Sequence, residues 1–322
     1  MPSKFQEIQR SKAISLINAG SNVFEGAIGG KMYRAKNRDF ILLDNNKNLY
    51  SPIREEVVKY FKGNGISWWA GFEPTGHVLS SQIACLNHLF LIRHDIQAVS
   101  SLLKIINPDL IEPLLIETDK FSPAYIQFET VSDRDHLNEL SSTRGSNCTS
   151  IDALIYAKHK NGSNWLIPIE WKYTEFYNNQ NKATEGFIKD PIDCKGEVRK
   201  KRYNNLIVNS SQLKSNNIGW FYYEPFYQLM RQTLWVEQMI KFKTQETIKA
   251  DDYMHIHVIP DGNADLLKKT YKCSGLDMER TWRSLLKDQS KYKILTPQYL
   301  MTGLLSISKY QALVDYLRIR YW

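Results

Sequence analysis

A chain of 322 residues with 43% hydrophobic and 24% charged content can bury a sizeable core. That excludes a disordered chain and fits one large domain, or a core domain carrying accessory segments. No stretch approaches the roughly 18 consecutive apolar residues of a membrane span, and residues 1–20 lack a signal-peptide core, so a cytoplasmic location without a membrane partner is expected. The net charge of +8 favours polyanionic partners. Cys85, Cys148, Cys194 and Cys273 lie far apart with no C-x-x-C pair, which argues against a disulfide framework or a zinc knuckle.

Residues 1–50 read as an irregular or helical lead-in punctuated by Gly20, Gly26, Gly29 and Gly30, with 40–43 as its one strand candidate and no chemistry assigned. In 51–61, Ile53, Val57, Val58 and Phe61 recur at helical spacing behind Pro52, and Gly63 and Gly65 end the segment. Trp68 and Trp69 suit either a core or stacking on bases. Residues 78–92 predict a second helix capped by Ser80 or Ser81, on which Gln82 either closes a site or serves a capping or solvent role. A third helical segment spans 96–106. A strand follows at 124–131, where Glu129 is either a site acid or a surface carboxylate.

The turn-rich stretch 141–150 leads into a strand at 151–157. Arg144, Ser146 and Asn147 in it suit turn chemistry and phosphate contact equally. Asn161-Gly162 predicts a hairpin connection to a second strand at 165–174. Residues 176–215 are polar and basic without clear periodicity and read as a long functional or mobile excursion. Its run of Lys195, Arg199, Lys200, Lys201 and Arg202 either contacts phosphates or forms a solvated face.

Pro225 predicts a helix start, with Phe226, Leu229, Met230, Thr233, Val236 and Ile240 as the core stripe. Residues 253–259 alternate as a strand. Its His255 and His257 share one face but lack a further ligand at metal-binding spacing. Segments 276–287 and 297–321 read as closing helices. The order argues for an α/β fold, a mixed sheet sandwiched by helices. Its core spans 76–265, with an N-terminal accessory segment at 1–75 and a C-terminal helical segment at 266–322 packed on the core.

Strand alternation puts Glu170 and Lys172 on one face with Leu166 and Pro168, and Ile167, Ile169 and Trp171 on the other. Both faces look covered. A carboxylate and an ammonium on such a strand cost several kcal/mol to desolvate unless paired or bound to an ion, which points to function. Hairpin pairing brings Asp152 toward Glu170, giving two hard oxygen ligands suited to Mg²⁺. Lys172 would then orient attacking water or stabilise charge developing on phosphorus. Gln228, Arg231 and Gln232, at i, i+3 and i+4, either serve that site or form the polar flank of an amphipathic helix. A second acidic-x-Lys tripeptide, Asp193-Cys194-Lys195, lacks a strand pattern and is set aside.

Asp152, the Glu170-Trp171-Lys172 tripeptide on the next strand, and the helix bearing Gln228, Arg231 and Gln232 together resemble the PD-(D/E)XK nuclease superfamily. More narrowly, Asn48-Leu49-Tyr50, Ile53-Arg54-Glu55, Ser80-Ser81-Gln82, Thr149-Ser150-Ile151-Asp152 and the residues from Glu170 to Glu175 resemble a family of bacterial restriction endonucleases, over roughly 40–260. The resemblance implies a restriction-endonuclease-like α/β/α core and an Mg²⁺-dependent endonuclease acting on DNA, with Mn²⁺ able to substitute. It implies Asp152 and Glu170 as metal ligands joined by the Trp171 backbone carbonyl, with Lys172 and Gln228 completing the catalytic set. Arg144, Arg231, Gln232 and the basic run are the candidate DNA contacts, and a homodimer would suit double-strand cutting.

The chain departs from the pattern in having Ile151, not proline, before Asp152. Pro168 lacks a ladder donor, so a bulge or a free edge is expected there. The rival reading is a protein of the same fold that binds nucleic acid without cutting it. A carboxylate-pair glycosidase would need neither the lysine nor the positive charge.

Overall fold

The computed structural model describes residues 2–69, 71–118, 121–140, 148–186, 189, 192 and 194–322. Its first half runs α1 (Lys4–Asn18), β1 (Gly29–Tyr33), β2 (Lys36–Leu42), α2 (Arg54–Asn64), α3 (Ser81–Leu89), α4 (Ile96–Ile106), β3 (Leu110–Leu114), β4 (Ile116–Thr118), β5 (Phe121–Ala124) and β6 (Ile126–Thr130). The hairpin β7 (Ile151–His159) and β8 (Asn164–Trp171) follows, then α5 (Lys195–Val208) and α6 (Phe226–Lys241). The remainder is β9 (Asp252–Tyr253), β10 (His255–Val258), α7 (Ala264–Leu267), α8 (Met278–Ser284), β11 (Tyr292–Leu295), α9 (Pro297–Leu300) and α10 (Gln311–Arg320).

Seven strands make one mixed sheet in the order β11-β10-β8-β7-β3, with β6 also paired to β7 and β9 to β8. Alternation along the central hairpin divides its apolar residues between two cores. Ala153, Ile155, Ala157, Ile167, Ile169 and Trp171 pack with Val57 of α2, Leu86 of α3, Leu103 of α4 and Leu317 of α10. Leu154 and Leu166 pack with Tyr203 of α5, Leu229 and Met230 of α6 and Trp282 of α8. Helices therefore cover both faces, as the near-continuous apolar runs of these strands require. This is the expected α/β architecture, and the C-terminal segment adds a strand, β11, which runs parallel to β10.

Local chemistry explains several boundaries. The Asp95 carboxylate accepts the Gln97 and Ala98 N–H groups at the start of α4, and the Ser80 hydroxyl accepts the Ile83 N–H at the start of α3. Pro225 occupies the cap position of α6, one residue before the helix proper. The lead-in is more ordered than its glycines suggested. β1 and β2 form an antiparallel hairpin closed by Arg34 and Ala35, both at positive φ (50° and 58°). Tight hairpin turns favour Asn or Gly at such positions, so this one carried no sequence signal.

The expected excursion at 176–215 contains the 14-residue helix α5, which buries only Gly196, Tyr203 and Ile207. So narrow a buried stripe leaves little periodicity to read. Pro168 needs neither a bulge nor an edge. β8 is interior and Pro168 pairs with Leu154 in regular register. The Lys172 N–H points to β10, where it meets the Val258 carbonyl, so alternation aims the Pro168 nitrogen the same way. On that side β9 ends at Tyr253 and β10 begins at His255, so the missing donor falls where the neighbouring strand is interrupted. Among the described residues, no helix is long and apolar enough to cross a membrane.

Candidate active site

The strand registers set three carboxylates in a row. β6 pairs with β7 through Phe128↔Ala153 and Thr130↔Ile151, so Glu129, at φ 47°, stands opposite Asp152. β7 and β8 pair as far as Ala153↔Ile169, so the next position sets Asp152 opposite Glu170, which pairs in turn with His257 of β10. Asp152, Glu170 and His257 lie on the α6 side of the sheet, opposite the Ala153, Ile169 and Ile256 face. Where the β7–β8 ladder stops, the Asp152 Oδ2 accepts the Trp171 N–H at 2.7 Å. A strand residue's carbonyl points to the same side as its N–H, so the Trp171 carbonyl faces β7 too.

Glu170 and Lys172 are 4% and 5% exposed, and each is the other's charge partner, with Lys172 Nζ 2.6 Å from Glu170 Oε1. Lys172 also donates to Gln228 Oε1, and the Gln232 amide donates to Glu170 Oε2. Gln232 Oε1 meets His255 Nε2 at 2.9 Å. Burial pushes the His255 pKa down to about 4, so the ring is neutral and its Nε2 carries the proton that Gln232 accepts. The chain of contacts thus fixes the orientation of the Gln232 amide.

Burial pushes the Asp152 carboxyl well above the usual carboxylate range, and the charges of Glu170 and Glu129 push it the same way against Lys172 and the Trp171 N–H. For Lys172, burial alone would lower the pKa. Glu170, Tyr177, Glu175 and Asp152 together outweigh it, Glu170 contributing most, and hold the ammonium well above its ordinary value.

Of these groups Glu129, Asp152, Glu170, Gln228 and Gln232 line a cleft of about 860 Å³, and Lys172 touches its lining through Glu170 and Gln228. Glu129, Ser150, Asp152 and Glu170 line its floor, Gln228, Arg231 and Gln232 line the α6 side, and Arg10, Arg34, Arg38 and Trp69 come from the N-terminal region. Gln82 reaches the floor through Glu129, donating to Oε1 at 2.7 Å while the Ser150 hydroxyl donates to Oε2 at 2.7 Å. Arg231 lines the cleft, but its guanidinium is engaged by Glu139 at 3.0 Å. Glu139 also accepts from the Thr149 N–H, the Thr149 hydroxyl and the Tyr203 hydroxyl, so it fastens the entry to β7.

The basic run lies on α5, away from the cleft lining. Arg199 pairs with Glu185, Lys200 with Glu197, and Arg202 donates to the Glu139 carbonyl, while Lys195 is exposed 3.7 Å from Glu185. Lys201 shares that helix. Arg144, Ser146 and Asn147 lie outside the described residues. His255 and His257 are buried, and His257 meets the Tyr292 hydroxyl at 2.9 Å. The tryptophan pair divides: Trp68 is stacked on Phe61 in the core, and Trp69 is 58% exposed at the cleft. The sequence reading missed Glu139 and the three cleft arginines. Neither had a motif, and the only available signal was positive charge within the glycine-rich lead-in.

Among the described residues, no three or more His, Cys, Asp and Glu side chains are grouped to hold a metal ion. Mg²⁺ asks for less, since it keeps most of its waters and takes one or two carboxylates. The oxygen-only floor suits a hard cation, and the charges of Glu170 and Glu129, which add to burial in raising the Asp152 pKa, are ones a cation would offset. The residues present are therefore compatible with such an ion.

No curated protein and no solved structure matches the chain at a significant level. A family model does, over residues 4–322, nearly the whole chain and both walls of the cleft. With the Asp152, Glu170 and Lys172 hairpin inside that match, the chain belongs to the family described as restriction endonuclease associating with ARP.

Proposed function

We propose that this protein is an endonuclease that hydrolyses phosphodiester bonds in DNA with the help of a divalent cation, Mg²⁺ or in its place Mn²⁺. Asp152 and Glu170 would hold the ion, with the Trp171 carbonyl as a third oxygen. When bound, the ion supplies positive charge to phosphoryl oxygens and makes water more acidic. The observation that carries the reading is the Glu129–Asp152–Glu170 row, with Lys172 fixed beside it, on the floor of a cleft.

Lys172 stays protonated in this setting, since Glu170 raises its pKa. It therefore acts as a fixed positive charge and hydrogen-bond donor toward the developing phosphorane, and not as a general base. Gln228 and Glu170 hold the ammonium in place, and Gln232 holds Glu170. Asp152, tied by one oxygen to the Trp171 N–H, keeps its Oδ1 free of protein hydrogen bonds among the described residues. Neutral His255 supports the array without adding charge.

The test is incubation of purified protein with plasmid DNA and Mg²⁺ beside Asp152→Ala and Lys172→Ala variants. Nicking or linearisation by the parent and its loss in both variants is expected. Cleavage that survives both substitutions would move the chemistry elsewhere.

A further inference from the structure

The cleft wall contributed by α1, the β1–β2 hairpin and the segment before α3 has no part in the proposed chemistry. Two of its charges are uncommitted. Arg34 and Arg38 make no hydrogen bond or ion pair with protein among the described residues, although Arg34 stacks on Tyr33. Arg10 pairs with Glu7 at one amino group and lies 4.5 Å over the Phe40 ring, while its buried Nε has no partner. Three guanidiniums facing a cleft whose floor is acidic are suited to a polyanion that spans both, with phosphates along the wall and one of them over the floor.

Trp69 stands on the same wall. Its ring is 58% exposed, set edge-on to His77 at 5.8 Å, and His77 is set edge-on to Phe40 at 5.2 Å. Its backbone N–H donates to Gln82 Oε1, whose amide donates to Glu129 opposite Asp152. One glutamine therefore joins the Trp69 backbone to the carboxylate row. An exposed aromatic face among arginines is a stacking platform within an electrostatic funnel, the combination that takes single strands. In a duplex the base faces are covered by their neighbours, and only groove edges and backbone are open to protein. The cleft volume of about 860 Å³ is enough to hold a few nucleotides against the floor.

The geometry points to a substrate strand with unpaired nucleotides at the cutting site, its phosphates held by Arg34 and Arg38 and one base stacked on Trp69. The inference rests on the nuclease reading and narrows its substrate. It makes the β1–β2 hairpin and Trp69 determinants of specificity, which act on binding and do not touch the reacting atoms.

The test compares binding of a fluorescein-labelled oligothymidylate and a blunt duplex of equal length by fluorescence anisotropy. It uses the full chain in chelator, so that no cutting occurs, across a salt series. Preference for the single strand is expected, with Trp69→Ala weakening it about tenfold. Arg34→Ala/Arg38→Ala should reduce the slope of log K against log salt by about 1.4, at about 0.7 per phosphate contact on a single strand. All three positions are at least partly exposed, and a melting curve on each variant checks the fold. Equal or tighter duplex binding, or single-strand binding indifferent to Trp69→Ala, overturns the proposal. Plasmid cleavage by the parent, lost in Asp152→Ala, is scored separately, so the nuclease reading can stand where the single-strand inference fails.

Discussion

The Asp152 carboxylate accepts the Trp171 N–H at 2.7 Å one pair beyond the last rung shared by β7 and β8. A side chain completes the ladder where the backbones stop pairing, so a group proposed to hold a cation also ties two central strands together. Charge and hydrogen bonding can be separated there. Asp152→Asn keeps an oxygen to accept the N–H and loses the charge. Cleavage should fall by at least about a hundredfold, the scale of removing one electrostatic catalytic group, with the thermal transition retained. Plasmid nicking beside a melting curve checks both; substantial cleavage by the amide variant would rule out a charge role.

The same residue predicts a pH dependence. The folded pKa of Asp152 lies above its unfolded value, so between the two the native state holds a proton that the unfolded state has released. Its contribution to stability is present below the ordinary carboxylate range and is lost as pH rises through the folded pKa. Urea unfolding over a pH series should show the parent losing stability relative to Asp152→Asn across that window. Parallel curves would show that Asp152 is not displaced.

A divalent cation would bind the ionised form and oppose that loss. Mg²⁺ should raise the melting temperature of the parent and leave Asp152→Asn unchanged. An ion present at a hundred times its Kd adds about 2.7 kcal/mol. Equal shifts in both proteins, read by calorimetry, would locate the ion elsewhere.

Lys172 and Glu170 are buried together, so removing one strands the other. Lys172→Met should cost about 3–5 kcal/mol. Adding Glu170→Gln should recover much of it, because the uncompensated charge is gone, while cleavage stays lost. A double-mutant cycle from chemical denaturation measures the coupling, and additive losses would mean that the pair is not coupled in solution.

Glu129 acts on Asp152 through charge. Glu129→Gln should lower the Asp152 pKa toward the ordinary range and move the acid limb of the cleavage profile to lower pH. A pH–rate profile on plasmid reads this, and an unmoved acid limb would take Glu129 out of the electrostatics of the site.

Residue pattern alone determined the sandwich of helices around a mixed sheet, the hairpin bearing Asp152, Glu170 and Lys172, and the helix carrying Gln228 and Gln232. These follow from local rules: strand periodicity, an Asn-Gly turn, a helical apolar stripe, and the cost of burying charge without a partner. The tertiary structure alone decided that Glu129 stands opposite Asp152, that Glu139 commits Arg231, and that the basic helix α5 lies off the cleft. It also brought Arg34, Arg38 and Trp69 to the carboxylate floor. Those relationships join residues up to more than a hundred positions apart in the chain, through strand register and packing, and no local spacing encodes them.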